Sequence, residues 1–348
     1  MWFISLRDLQ FRQRRFVIAI VGTALVFGMS LVASGMSAGF RAEVRRTVES
    51  VGATTWVIAE GTTGPFTSLA LVSPGVAEGI SSAGVDAHPM IVARQAVRTA
   101  DGEPLDTQLI GYVRGGVTKP PVEEGRRPRR SGEAVIDARS GLHVGDGFTL
   151  GGAEFTVVGL TEGRTVLGGS PAAYVSLRDA QQALFHGAET ATAVVTKGTP
   201  AEVPVGTQVI TADEAASDLL RPMEKAVQAV DMLRYLLWLV AASIVGAIVY
   251  LSSLERIRDF AVLRAVGSSP AELYAGLATQ AIIVSVGAAV ISAGLSLGIA
   301  RLFPIPVEIP FVALLLLPVV AVAVGLFASL TGLRRATAVD PALAFGGP

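Results

Sequence analysis

Four stretches of this chain are long and apolar enough to cross a membrane, and their cores carry no charge. They are Phe16–Ala38, a run over residues 233–254 whose core is Tyr235–Leu254, Leu273–Phe303 and Phe311–Leu333. About 20 apolar residues at about 1.5 Å each span a hydrocarbon core of about 30 Å. Residues are 51% hydrophobic and only 16% charged, where a soluble domain carries about 25% charged residues. The mean hydropathy is +0.55. These runs dictate an α+β membrane protein with four transmembrane helices. A long polar segment, residues 39–232, is inserted between helices 1 and 2.

Basic residues orient the layout. Arg7, Arg12, Arg14 and Arg15 precede the first run, which places residues 1–15 in the cytoplasm by the positive-inside rule. That segment reads either as an amphipathic helix lying on the membrane surface or as a plain basic flank. The first run exceeds a secretory h-region of about 7–15 residues, so it reads as an uncleaved signal anchor. Four crossings return the tail, residues 334–348, to the cytoplasm, along with Arg334 and Arg335. Residues 304–310 form a short external loop. Helical patterning continues past the first run to Val51, and resumes from Ala212 into the second run with Pro222 as a kink or helix start. Both read as stalk helices.

Between the stalks the composition turns to Gly, Pro and Thr, with short β-like runs. Strands are expected at Thr54–Ala59, Ile91–Thr99, Leu105–Val113, Glu154–Gly159 and Val203–Ile210, and a helix at Arg178–Phe185. Gly151-Gly152 marks a hairpin turn. Lys119–Arg130 reads as a solvated polar loop. This domain, mixed α/β, has no cysteine to brace it. His88, His143 and His186 are far apart and form no metal motif, and Lys119, Lys197 and Lys225 all lack the glycine that precedes a phosphate-loop lysine. ATP hydrolysis, catalysis and a resident cofactor are therefore not expected in this chain. A formal net charge of −1 gives no support for nucleic-acid binding.

The second apolar run turns abruptly charged at Glu255, opening a cytoplasmic segment over residues 255–272. Gly267 is placed to end a helix in the left-handed conformation. Ser269 reads as the next N-cap, Pro270 as the first helical residue and Glu272 as the capping-box partner. A further pattern, Gly294 and Gly298 in the third run, permits close helix packing.

The run Leu254-Glu255-Arg256-Ile257-Arg258-Asp259-Phe260-Ala261-Val262-Leu263-Arg264-Ala265-Val266-Gly267-Ser268-Ser269 resembles the hallmark segment of the FtsX/MacB-like permeases of ATP-binding-cassette (ABC) transporters. There the usual pattern is roughly E-R-x-R-E-I-G-V-L-R-A-L-G-A. Asp259 stands for the usual acid, and Phe260-Ala261 for Ile-Gly. The stretch Gly145–Gly159 and the run Ala173–Leu177 are similar to the family's extracytoplasmic domain, and Asp340-Pro341-Ala342 to its ending. The resemblance implies an ATPase-coupling role for Glu255, Arg256, Arg258, Asp259, Phe260, Val262, Leu263, Arg264, Gly267 and Ser269. It also implies a partner ABC ATPase that binds ATP and magnesium, a second permease copy in a homodimer or heterodimer, and a location in the bacterial cytoplasmic membrane. A periplasmic adaptor or lipoprotein is a further partner of such permeases. Two other readings stay open: a non-transporting mechanotransducer that regulates a cell-wall hydrolase, and a membrane-anchored sensor.

Overall fold

The computed structural model describes residues 13–73, 75–255, 259, 262, 266–300, 302 and 307–337. They fall into two compact units, Phe40–Val227 and the pair Met1–Gly39 with Gln228–Pro348.

Helix α1, Gln13–Val51, is continuous and supplies residues to both units. In the Phe40–Val227 unit it is followed by strand β1 (Thr55–Ala59), helix α2 (Gly75–Ser82), β2 (Asp86–Thr99) and β3 (Pro104–Tyr112). Next come β4 (Glu124–Gly125), β5 (Glu133–Asp137), β6 (Gly147–Leu150), β7 (Ala153–Thr161), β8 (Thr165–Val166) and β9 (Ser170–Ser176). Helix α3 (Leu177–Phe185), β10 (Ala193–Lys197), β11 (Thr207–Thr211) and helix α4 (Ala212–Leu220) complete it.

Strand β2 organises this unit, because it is 14 residues long and serves two layers. Its start, Asp86–Met90, pairs antiparallel with β10, which continues through β1 to β11. Its later part, Ile91–Arg98, pairs with β3. From β3 the ladder runs through β9, β5 and β7 to β6, and β6 returns to the end of β2 at Arg98 and Thr99. The ring of six strands is therefore closed, and closure removes exposed edges. The β3–β9 and β5–β7 pairs are parallel. All six strands feed one core containing Ile91, Leu109, Ile136, Phe148, Phe155 and Val175. Phe148 and Phe155 stack at 5.3 Å. At the β6–β7 hairpin Gly151 and Gly152 have φ of 56° and 83°, the left-handed pair that a two-residue turn requires.

Helix α3 closes onto this ring. Ser176 caps it, its hydroxyl accepting the Asp179 N–H. Gly111 makes room for it, since a Cβ there would lie 2.5 Å from the Ala180 Cβ.

The outer face of β2, β3 and β9 shares a second core with β1 and β10. Trp56 and Ile58 of β1 point into it, whereas Val57 points the other way, against Val76, Ala77 and Ile80 of α2. That alternation is the period of two of a strand buried on both faces. Val44, Val48 and Val51 of α1, spaced by four and three residues, enter the same core. Ala215 and Leu219 of α4 do likewise. Helix α4 starts with a full capping box between Thr211 and Glu214. It gives way at a single 3-10 turn, Arg221–Met223, with Pro222 near its start, and α5 (Glu224–Glu255) follows.

The other unit contains residues 13–39 of α1, residues 228–255 of α5, α6 (Pro270–Ala300) and α7 (Phe311–Thr337). Its cores join Phe16, Val245, Leu277 and Val284, and Phe27, Leu31, Ala288 and Leu317. Trp238 Nε1 donates to Ser30 Oγ at 2.8 Å, tying α5 to α1. A Cβ on Gly325 would lie 3.1 Å from the Ala281 backbone, so glycine permits α7 to approach α6 closely. Leu239, Val290, Leu316 and Phe327 are exposed, as expected of side chains that face lipid. Among the described residues three helical segments are long and apolar enough to cross a membrane: Phe16–Val51, Ala212–Glu255 and Ala271–Ala300. In α7 the apolar part Phe311–Phe327 is shorter. Pro318 lies inside it.

Candidate functional site: the turn between α5 and α6

The α5–α6 connection is built from a helix end and a helix start placed back to back. Val266 N donates to Val262 O at 3.0 Å, a helical hydrogen bond. Gly267 then adopts φ of 102°. A side chain would strain that conformation, which ends the helical path. Ser269 opens α6: Ser269 N donates to Glu272 Oε2 at 2.9 Å, and Glu272 N donates to Ser269 Oγ at 3.3 Å. Two N–H donors at the helix start are thus satisfied within four residues. The hydrogen bonds that start α6 are local, made between Ser269 and Glu272.

What the turn presents is apolar as well as charged. Val262 is 52% exposed and Val266 82% exposed. Asp259 is exposed and helical, and Glu255, also exposed, is the last residue of α5. Of the residues singled out from the sequence, Arg256, Arg258, Phe260, Leu263 and Arg264 lie outside the described residues. Gly294 and Gly298 sit on α6, where an added Cβ would meet no atom within 4 Å.

The other polar feature of consequence is the seam between α1 and the barrel, where none of the residues was singled out from sequence. Thr47 Oγ1 donates to Thr165 O at 2.8 Å, and Gly168 N donates to the buried Glu43 carboxylate at 3.1 Å. Ser50 Oγ and Tyr174 OH share a hydrogen bond of 2.5 Å. Burial pushes the Tyr174 hydroxyl up to about 12, with Ser50 opposing the shift, so it stays protonated at physiological pH. Asp137 Oδ2 accepts from Arg164 N at 2.6 Å and from Thr161 Oγ1, shaping the loop that meets α1. A legible signal did exist: Glu43, Thr47 and Ser50 follow each other at helical spacing next to Val44, Val48 and Val51.

Asp218 of α4 plays a similar part on another side of the domain. It is fully buried, and its carboxylate accepts from Phe66 N at 2.9 Å, Thr67 N at 3.0 Å and Thr63 Oγ1 at 3.1 Å, and also from Thr67 Oγ1. One side chain on α4 therefore holds the loop over residues 61–70.

Comparison with known proteins places these features in a family. Residues 232–341 match the model described as FtsX-like permease C-terminal, and residues 16–218 match the MacB-like periplasmic core domain. The chain belongs to the FtsX/MacB-type ABC transporter permeases. It is 41% identical over 352 residues to an uncharacterized ABC transporter permease of Mycobacterium tuberculosis (strain ATCC 25618 / H37Rv), covering 100% of both chains. A second such permease of that strain is 39% identical over 349 residues, again covering 100% of both. Among solved structures, the periplasmic region of MacB from Actinobacillus actinomycetemcomitans is similar with a TM-score of 0.36 and 12% identity. That match covers 50% of this chain and 96% of that one.

Proposed function

We propose that this permease couples ATP hydrolysis in a separate ABC ATPase to movement of its Phe40–Val227 domain, for export or extraction of a substrate. In this reading the chain crosses the cytoplasmic membrane four times, with α7 as the fourth crossing and both termini in the cytoplasm. The Phe40–Val227 domain lies outside, and the α5–α6 turn lies on the cytoplasmic side. ATP and magnesium belong to the ATPase, and two permease copies share two ATPase subunits.

The observation that supports this most is the α5–α6 turn itself. It is braced on both sides, by Gly267 and by the Ser269–Glu272 box, and it exposes Val262 and Val266 beside charged residues. Exposed apolar anchors carry most of the energy of an interface, and rim charges carry less. Leu263→Asp is therefore expected to release or uncouple the ATPase, and Arg256→Ala to have the smaller effect. The test is purification of each variant with the ATPase, scoring monodispersity, ATPase retention and permease-stimulated hydrolysis. A monodisperse Leu263→Asp permease that retains and stimulates its ATPase fully would defeat the proposal.

A further inference from the structure

A cavity of about 300 Å3 opens on the Phe40–Val227 domain, where the outer wall of the barrel meets the 61–70 loop and the end of α4. Its walls are largely apolar: Phe66 and Leu69 from the loop, Leu167 from the β8–β9 turn, and Leu219 and Pro222 from α4 and the 3-10 turn. Two polar side chains of the barrel complete it. Gln108 of β3 sits directly opposite Arg94 of β2 in the antiparallel ladder.

Gln108 is the odd member. It is 1% exposed, on the strand face that carries Ile110 and Tyr112 into the apolar core. Its Nε2 is buried with no hydrogen-bond partner. Buried polar groups are almost always paired, and an unpaired one calls for an explanation. Arg94 is half exposed. It spends one N–H on Asp106, at 2.9 Å, and a guanidinium has further donors to offer.

We propose that this cavity binds the carbonyl end of a single acyl chain. The apolar wall takes the methylenes, Gln108 donates to the carbonyl or carboxylate oxygen, and Arg94 stands on the solvent side, where a free acid would carry its charge. An apolar pocket with a few placed polar groups is the usual form of a small-molecule site, and this one is at the small end of the range. A peptide fits worse. It brings several backbone donors and acceptors, while the neighbouring hydroxyls are already engaged: Thr67 Oγ1 by Asp218, and Ser68 Oγ by Ala70 N at 3.2 Å. The chemistry is shared by a free fatty acid and by the ester-linked chain of a lipid. The inference stands independently of the coupling reading above.

The test uses the full chain in lipid nanodiscs and two photoreactive probes, a diazirine-bearing decanoic acid and its methyl ester, with adducts mapped by mass spectrometry. Saturable adducts are expected on residues 66–69 and 219–222. Leu69→Trp fills the mouth from a position that is 61% exposed and should leave folding intact. It is expected to cut these adducts about tenfold. Gln108→Leu is expected to cut them severalfold, about the loss of one hydrogen bond. An acid adduct that falls in Arg94→Gln, with the ester adduct unchanged, assigns the site to free acids; equal labelling indifferent to Arg94 assigns it to esterified chains. Adducts confined to the membrane-spanning helices, or adducts at 66–69 that persist in both Leu69→Trp and Gln108→Leu, would overturn the proposal.

Discussion

Replacing Asp218 with alanine should loosen the Phe40–Val227 domain more than any surface change. The carboxylate is fully buried and accepts two backbone N–H groups and two hydroxyls from the 61–70 loop. The hydroxyls can turn toward other acceptors. The Phe66 and Thr67 N–H groups cannot, and each buried donor left unpaired costs about 1–3 kcal/mol. Loop relaxation and water entry recover part of that, so the net loss is about 3 kcal/mol, with truncation of the side chain included. For a domain of about 150–250 residues each kcal/mol shifts Tm by about 2–4 °C, which gives a drop of about 10 °C. Asp218→Asn keeps one acceptor and should lose about half as much. The assay is thermal unfolding of the full chain, paired with limited proteolysis across residues 61–70. The variant loop should be cut well before the domain unfolds. A variant that melts within about 2 °C of the parent, with its loop equally resistant, would refute the claim that Asp218 holds this loop.

Three other outcomes are expected. Because the chain has no cysteine, single cysteines in Lys119–Arg130 should label from outside intact cells, and Ser268→Cys should not; external labelling of Ser268→Cys would exclude the four-crossing layout. A soluble fragment over residues 40–227 should fold alone, whereas one over residues 54–211 should be weaker by circular dichroism, since it lacks Val44, Val48, Val51, Ala215 and Leu219 of the core. Acid should weaken the Arg126–Glu133 pair, because the Arg126 guanidinium, with the Arg129 and Arg130 amides, lowers the Glu133 carboxyl to about 2. A carboxyl lowered on folding stabilises the fold above its ordinary value near 4.5 and loses that contribution as pH falls toward about 2. The Tm difference between the parent and Arg126→Ala should therefore shrink across that window, and a difference that stays constant would contradict the pairing.

Three of the four membrane runs and the α5–α6 turn were legible because their signals are local. Apolar length, the left-handed glycine at Gly267 and the Ser269–Glu272 box each act within a few residues. The Gly151-Gly152 hairpin was legible for the same reason. Strand boundaries failed where a local rule was overridden. Strand β2 begins at Asp86, not Ile91, because Pro89 argues against a strand yet is accommodated opposite Val194 of β10. The last strand is Thr207–Thr211 rather than Val203–Ile210, since Thr207 N turns back onto Pro204 O at 3.2 Å. Helix α2 was missed in a Gly- and Ser-rich stretch, where only Val76, Ala77 and Ile80 mark its buried face. The closure of the barrel could not be read at all. It depends on β6 reaching back to Arg98 and on the parallel β3–β9 and β5–β7 pairs, and no short window of sequence encodes a partner that distant. The cavity at Gln108 was equally hidden, because an amide looks ordinary until its neighbours are known.

The central claim, that the α5–α6 turn is where the ATPase meets this permease, is tested most directly by crosslinking from the turn. A photoreactive amino acid placed at Val266, whose side chain is 82% exposed, should join the permease to the ATPase subunit in membranes. The same residue at Val205, exposed in the Phe40–Val227 domain, should not. A crosslink to the ATPase from Val205, or its absence from Val266 while the two proteins still copurify, would contradict the account.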